Sequence, residues 1–250
     1  GELCAQAAHI PVHLGSMAYA MKSIVNAQNW TDGDMLILND PFLGGTHLPD
    51  VTLISPVFCD EVLVGFVANR AHHADIGASS PGSMPISQSL EEEGLLIAPS
   101  LLIAGGERNQ DLMDQMLVES SNTTQSEGDF SAQISANIVG LQRLLALVQQ
   151  MGIASYLNAL EELNKYAERL ADSALSTIPD GEYQFSDVMD DDGMGTTNIK
   201  ISVKIVVLGH HIEVDFAGTA NQVRGNINCP LSVAVAGVYY VFRCLMPNYT

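Results

Sequence analysis

The fold is decided by residues 35–75, which read MLILNDPFLGGTHLPDVTLISPVFCDEVLVGFVANRAHHAD. Apolar runs rich in Val, Ile and Leu predict strands over 35–38, 51–58 and 62–69. An acidic dipeptide at 60–61 separates the second run from the third and predicts a hairpin turn. Histidines and aspartates follow the first and third runs. The sequence therefore places polar side chains at or near strand ends, where loops commonly carry functional groups.

Outside this stretch, helical spacing dominates the middle of the chain and short apolar runs return near its end. Helices are predicted over 9–29, over 111–120 and, broken near Gly152, over 130–178, with a polar loop at 122–127. Strands are predicted over 183–189, 199–207 and 211–216, before a last helix over 233–245. This order indicates an α+β (mixed α/β) fold with a strand-rich N-terminal part, a helical middle and a C-terminal β-meander with a helix.

The length of 250 residues suits one large domain or two small ones. We expect three sub-regions: 1–125 with the candidate site, 126–178 as the helical part, and 179–250 as a strand meander plus helix. The chain has no initiator methionine, and its last residues follow directly on an apolar run. A fragment of a longer polypeptide is therefore expected.

The charge balance argues against binding to nucleic acid or to an anionic membrane surface, because 29 acidic residues face only 10 basic ones and the net charge is −19. No apolar run reaches the 18 or so residues of a membrane span, and no signal peptide is recognisable. The four cysteines lie far apart and form no CxxC pair, at Cys4, Cys59, Cys229 and Cys244. We therefore expect reduced thiols and a cytoplasmic protein.

One cluster of residues carries the strongest chemical signal. It comprises Asp40, His47, Asp50, His72, His73 and Asp75. Divalent ions such as Mn²⁺, Zn²⁺ and Fe²⁺ are bound by imidazole nitrogens together with carboxylate oxygens. Two matching motifs, His47-x-x-Asp50 and His72-x-x-Asp75, could meet across neighbouring strands and leave one position open for substrate. The alternative is that these residues form turns and helix caps, since Asn-Asp-Pro is itself a turn signal.

Two other places are candidates of lesser weight. His9 and His13 have the i, i+4 spacing of paired helical ligands, but Pro11 lies between them, so packing at a helix start is the alternative. Arg224 could hold an anionic substrate, because basic residues are few.

Two further patterns favour ordinary turns. His210-His211 is expected at a surface hairpin, and the acidic run at 190–193 lacks the spacing of a calcium loop. The sequence contains neither a GxxxxGK[ST] loop nor a GxGxxG motif. Any nucleotide chemistry is therefore expected from a partner.

Ordered strings across nearly the whole chain resemble the hydantoinase B/oxoprolinase family. They are AHIPVHLGSM (8–17), NDP (39–41), GGTHLPD (44–50), RAHHADIG (70–77), SPGSMP (80–85), EGL (93–95), GDF (128–130), AQI (132–134), DGEY (180–183) and DFAGT (215–219). The sequence departs from the family at Ala78, where a second glycine is usual. We expect this departure to alter the loop beside the site.

The resemblance implies a fold, a partner and a chemistry. The family comprises the B subunits of ATP-dependent hydantoinases, the C-terminal half of 5-oxoprolinases, and the large subunits of acetone and acetophenone carboxylases. Residues 1–250 would be the N-terminal portion of such a domain. A hydantoinase A-type ATPase would handle ATP in a hetero-oligomer, while this chain would act on the activated small-molecule substrate.

By motif match, the resemblance implies that His47, Asp50 and His72 bind a divalent metal, Mn²⁺ or Zn²⁺. Asp40, His73 and Asp75 would lie nearby as candidate catalytic residues. Three functions stay open at this point. The first is hydrolysis of a cyclic amide that a partner ATPase activates, which is the commoner label in the family. The second is carboxylation of a ketone, and the third is a non-catalytic assembly subunit with a structural His/Asp cluster.

Overall fold

The computed structural model describes residues 1–7, 10–83 and 85–246, with the backbone alone at residue 14. Its first sheet has five antiparallel strands in the order β3-β2-β1-β4-β5. The strands are β1 (Met35–Leu38), β2 (Asp50–Cys59), β3 (Val62–His72), β4 (Ser100–Ala104) and β5 (Glu107–Arg108). Short 3₁₀ turns occupy Pro41–Leu43 and Leu90–Glu93.

Five helices accompany the strands in the described part of the chain. They are α1 (His13–Ile24), α2 (Gln110–Val118), α3 (Thr123–Met151), α4 (Ile153–Leu175) and α5 (Leu231–Leu245). Helix α3 packs against β2 and β3, and α5 packs against α1. The Ser232 hydroxyl at the start of α5 donates a hydrogen bond to the Gly45 carbonyl. This contact ties the last helix to the loop that precedes His47.

The first sheet is buried on both faces. Because successive side chains on a strand point to opposite faces, neighbouring residues of β1 enter different cores. Ile37 packs with Leu53 and with Phe130 of α3. Leu36 and Leu38 pack on the other side, against residues of α1. This double cover fixes the strands that carry the candidate site.

The second sheet is a three-stranded antiparallel meander of β6 (Gly181–Asp191), β7 (Thr197–Leu208) and β8 (His211–Asp215). The register places Tyr183 opposite Ile205 and Phe185 opposite Val203, so one face of the meander is apolar. Much of that face is uncovered, and the Phe185 side chain is 69% exposed.

The structure confirms the mixed α/β class and the order of strands, helices and meander. Four details of the prediction were wrong. Helix α1 is shorter than 9–29, and β3 continues past residue 69 to His72. The loop predicted at 122–127 is the first turn of α3, because the Asn122 side chain caps that helix by accepting from the Gln125 N–H. Strands β4 and β5 were not predicted.

Among the described helices, none combines the length and the apolar character needed to cross a membrane.

Candidate metal site

The candidate site lies where β2 begins and β3 ends. The two strands pair antiparallel with Asp50 directly opposite His72. The hairpin turn between them is tight, and both of its residues, Asp60 and Glu61, have positive φ values of 49° and 63°. This register brings a carboxylate and an imidazole together at one end of the hairpin, and His47 joins them from the loop that enters β2.

Three side chains converge there. Nitrogen Nδ1 of His72 lies 3.0 Å from Asp50 Oδ1, and His47 Nε2 lies 3.3 Å from the same oxygen. The two imidazole nitrogens are 3.1 Å apart. One donor atom from each of the three residues lies within 4.8 Å of the others.

Asp50 is held as an anion in the protein interior. Its side chain is buried, and the Thr46 hydroxyl donates to Oδ2, the oxygen that faces away from His47 and His72. Burial alone would raise the pKa of Asp50, but hydrogen bonds from His47 and Thr46 outweigh burial and hold the pKa well below the usual range of a carboxyl. Asp50 is therefore a permanent negative charge at the centre of the cluster.

The loop before His47 is shaped by its double glycine. Gly44 has φ 97°, and a Cβ there would collide with the backbone of Ala20 in α1. The buried Asn39 side chain donates to the carbonyl oxygens of Leu48 and Leu95, at 2.8 and 2.9 Å. The loop is thus packed against α1 and cross-linked to the strand before it.

Helix α1 contributes His13 to the surroundings of Asp50. Nitrogen Nε2 of His13 lies 4.0 Å from Asp50 Oδ2. Its Nδ1 is buried and has no hydrogen-bond partner among the described residues. Burial lowers the pKa of His13 despite the nearby Asp50 charge. The other histidine of the predicted pair, His9, lies outside the described residues.

Asp40 and Asp75, both predicted as catalytic, bond to backbone groups near the site. Asp40 caps the 3₁₀ turn by accepting from the Phe42 N–H at 2.8 Å. Asp75 accepts from the N–H and the hydroxyl of Ser121, at 2.7 and 2.6 Å, and from the Gly77 N–H at 3.0 Å. These contacts fix loops around the site and do not join the two carboxylates to the converging donors.

His73, the third predicted catalytic residue, points to the opposite face of the sheet from His72. It is buried, its ring stacks on Phe130 with centroids 4.2 Å apart, and Nε2 lies 2.9 Å from Gln133 Oε1. Burial lowers the pKa of His73, which favours the neutral imidazole. The described contacts of His73 therefore dock α3 on the sheet.

Arg224 lies in an exposed loop between the meander and α5. Its guanidinium donates to Gln88 Oε1 at 2.9 Å, and the neighbouring Asn226 donates to the Pro85 carbonyl at 2.8 Å. The buried Asp192 accepts from the Gly225 N–H. Arg224 thus joins two loops, and the described contacts give it no bond to His47, Asp50 or His72.

Two polar residues at the site were not predicted. Thr46 touches the Asp50 carboxylate, and its position directly before His47 was the available signal. Arg70 stands two residues before His72 on the same face of β3. Extending the predicted strand past residue 69 would have placed Arg70 there by simple alternation.

The donor set fits a divalent cation. Two imidazoles and one ionised carboxylate are the ligands that Zn²⁺ and Mn²⁺ accept, with a further position available to substrate. The nitrogens of His47 and His72 lie 3.1 Å apart beside the Asp50 carboxylate, and a cation bound among the three side chains would take a lone pair from each.

The comparisons with known proteins agree with the sequence motifs. The profile of the hydantoinase B/oxoprolinase family matches residues 1–250. A 5-oxoprolinase of Saccharomyces cerevisiae is 35% identical over 270 residues, covering 98% of this chain and 20% of the relative. The caprolactamase subunit beta of Pseudomonas jessenii is 31% identical over 254 residues, covering 99% of this chain and 44% of the relative.

Solved structures extend the likeness to three dimensions. The crystal structure of the ATP-dependent caprolactamase of Pseudomonas jessenii has a TM-score of 0.88 and 30% identity, covering 94% of this chain and 41% of that one. An acetone carboxylase structure has a TM-score of 0.82 at 20% identity, covering 95% and 34% of the two chains, and shows a shared fold. The chain spans less than half the length of these relatives, and it belongs to the hydantoinase B/oxoprolinase family.

Proposed function

We propose that this chain carries the divalent-metal part of the active site of an ATP-dependent enzyme that hydrolyses a cyclic amide. The observation that supports this most directly is the convergence of His47, Asp50 and His72, whose donor atoms lie within 4.8 Å of one another. These three residues would hold Mn²⁺ or Zn²⁺. When bound, such an ion polarises a carbonyl group and activates water.

The chain's own residues divide the remaining work. Asp50 supplies the fixed negative charge, and Thr46 holds its second oxygen so that the first faces the imidazoles. The half-exposed His72 faces solvent, so substrate can approach from its side. Catalytic roles for Asp40, His73 and Asp75, and a substrate contact for Arg224, stay predictions. The observed bonds of these four residues favour positioning of loops and helices.

The names of the relatives favour hydrolysis over carboxylation. The 5-oxoprolinase and the caprolactamase are both named for lactams, which are cyclic amides, and both are at least 30% identical to this chain. In hydrolysis of a lactam, water adds to the carbonyl carbon, the C–N bond breaks, and the nitrogen takes up a proton. The likeness to acetone carboxylase shows only a shared fold. Ketone carboxylation is therefore the alternative that the activity assay must distinguish from hydrolysis.

A partner is part of the proposal. The caprolactamase relative is named as a beta subunit, and its structure is described as ATP-dependent. Because this sequence has no phosphate-binding loop of the GxxxxGK[ST] kind, we assign ATP to a hydantoinase A-type subunit in a hetero-oligomer. We also propose a cytoplasmic location, with which four unpaired cysteines agree.

Metal content measured by inductively coupled plasma mass spectrometry tests the central claim. We expect near-stoichiometric Mn or Zn in the wild type, and loss of the metal in His47→Ala, Asp50→Asn and His72→Ala. His211→Ala is the matched control, because this histidine is exposed on β8. Circular dichroism verifies that each variant is folded.

Activity is then measured with the co-purified A-type subunit and ATP. Ring opening of a lactam that is lost in the same three variants supports the proposal. Bicarbonate-dependent conversion of a ketone would replace hydrolysis by carboxylation. Metal-free wild type, both alone and in the complex, would leave the cluster with a structural role and refute the proposed function.

A further inference from the structure

A second polar layer lies directly beneath the candidate ligands. In the β2–β3 register, Asp50 pairs with His72, and the next pair on the same face is Thr52 with Arg70. The Arg70 Nε donates to Thr52 Oγ1 at 2.8 Å. The proposed metal-binding pair therefore stands one step along the hairpin from a cross-strand hydrogen bond that involves a charged side chain.

The Arg70 guanidinium also reaches two other elements. One terminal nitrogen donates to the hydroxyl of Ser16 in α1, and the other donates to the Gly44 carbonyl, each at 2.8 Å. Ser16 is fully buried and lies one helical turn from His13. Gly44 opens the loop that delivers Thr46 and His47. One planar, forked donor thus connects β2, α1 and the loop before the site.

The positive charge of Arg70 is balanced by the negative charge of Asp50. An arginine side chain is protonated at neutral pH, and the nearby Asp50 carboxylate carries the opposite charge. A partly buried cation needs both hydrogen-bond acceptors and a compensating anion. Three acceptors and the Asp50 charge meet both needs.

We propose that Arg70 is the positioning residue of the metal site, fixing the Gly44–His47 loop and helix α1 against the hairpin that carries Asp50 and His72. This role rests on the proposed metal site. Arg70 acts through Thr52, Ser16 and Gly44, and the described contacts include no bond from it to a candidate ligand. Loss of a group that bonds a ligand directly weakens metal affinity by roughly 10- to 100-fold, so we expect an effect at the lower end of that range.

Isothermal titration with Mn²⁺ and Zn²⁺ on the full chain tests the role. We expect Arg70→Gln to weaken binding by about 10-fold. We expect Arg70→Lys to fail to restore it, because lysine keeps the charge but lacks the fork. Arg143→Gln, on the exposed side of α3, is the matched control and is expected to bind as the wild type. The electron paramagnetic resonance spectrum at saturating Mn²⁺ is expected to change in the Arg70 variants, which a loss of stability alone would not cause.

Two milder variants cover the case in which Arg70→Gln does not fold. Ser16→Ala and Thr52→Val each remove one acceptor and keep the arginine, and each is expected to weaken binding. Unchanged affinity in folded Arg70→Gln, full affinity in Arg70→Lys, or unchanged affinity in both milder variants would overturn the role of Arg70 alone. A wild type that binds neither ion would overturn the metal site together with it.

Discussion

The two sheets of this protein are built alike and buried differently. Both are antiparallel, and each contains a long two-stranded ribbon, β2–β3 in the first sheet and β6–β7 in the second. In the first sheet nearly every residue of β2 is buried, whereas every residue of β6 is exposed. Helix α3 packs on β2 and β3, and apolar residues of α1 pack against the other face of the first sheet. No described helix covers the apolar face of the meander to a similar extent. The candidate site lies on the covered sheet, where packing holds side chains in place.

The two sheets are expected to differ most in the free energy of unfolding that is lost when one large apolar side chain is truncated in each. Leu53 is fully buried in the first sheet, and Phe185 is 69% exposed in the second. We expect Leu53→Ala to lower the free energy of unfolding by about 2–5 kcal/mol, because it leaves a cavity in the core. Phe185→Ala is expected to change it by no more than about 0.5 kcal/mol. Urea titrations followed by circular dichroism measure both, and equal losses would mean that the meander is covered in solution.

A smaller difference in stability is expected between alanine substitutions at two glycines with positive φ, one in each region. Gly209 turns the chain between β7 and β8 in open space, so Gly209→Ala bears only the backbone strain, about 1–2 kcal/mol. Gly44→Ala adds a collision with the Ala20 backbone, for which we expect a further loss of about 1–3 kcal/mol. Melting temperatures of the two variants rank these effects. A Gly44→Ala protein as stable as Gly209→Ala would show that the site loop can move away from α1.

The smallest effect is expected at one turn carboxylate in each region, Asp75 in the first and Asp192 in the meander. Burial would raise the pKa of each, but hydrogen bonds from neighbouring groups outweigh it, and the pKa of Asp192 falls to about 2. A carboxyl whose pKa is lower in the folded state stabilises the fold above its unfolded pKa of about 3.9, and that contribution is lost as the pH falls through the folded pKa.

We therefore expect the melting temperature of the wild type to fall between about pH 4 and pH 2, and to fall less steeply in Asp75→Asn and Asp192→Asn. Differential scanning calorimetry across this range measures the slopes. A separate low-temperature transition that only Asp192→Asn shifts would show that the meander unfolds independently of the first sheet. Unaltered slopes in both variants would mean that neither hydrogen-bonded turn survives in solution.

The sequence predicted most of the fold because most elements are marked by the spacing of their own apolar residues and by the turn residues at their ends. The break at Gly152 and the tight turn before His211 are examples. Strand β4 was not predicted because its run of large apolar residues, Leu101 to Ile103, is only three residues long, shorter than the run that predicts β1. Its place beside β1 is set by long-range pairing, which local spacing does not record.

The sequence predicted which residue types gather at the candidate site. It did not predict which of them converge and which hold neighbouring loops and helices in place. His72 and His73 are adjacent in sequence, yet one faces the converging donors and the other packs under α3 on Phe130. Their separation depends on β3 continuing to His72, and the predicted strand ended at residue 69. The contacts of Asp75 with Ser121 join distant parts of the chain, so spacing gave no sign of them.

The hairpin that carries the site has a consequence for how the protein folds. Asp50 and His72 lie at the open end of a ribbon closed by a two-residue turn, and His47 lies in the loop that enters it. Local pairings of this kind form faster than distant ones such as that of β1 with β4, because less chain entropy is lost in closing the loop. The candidate ligands Asp50 and His72 can thus meet while the rest of the sheet is still being assembled. Hydrogen exchange protection along β2 and β3 is therefore expected to appear earlier during refolding than protection along β4.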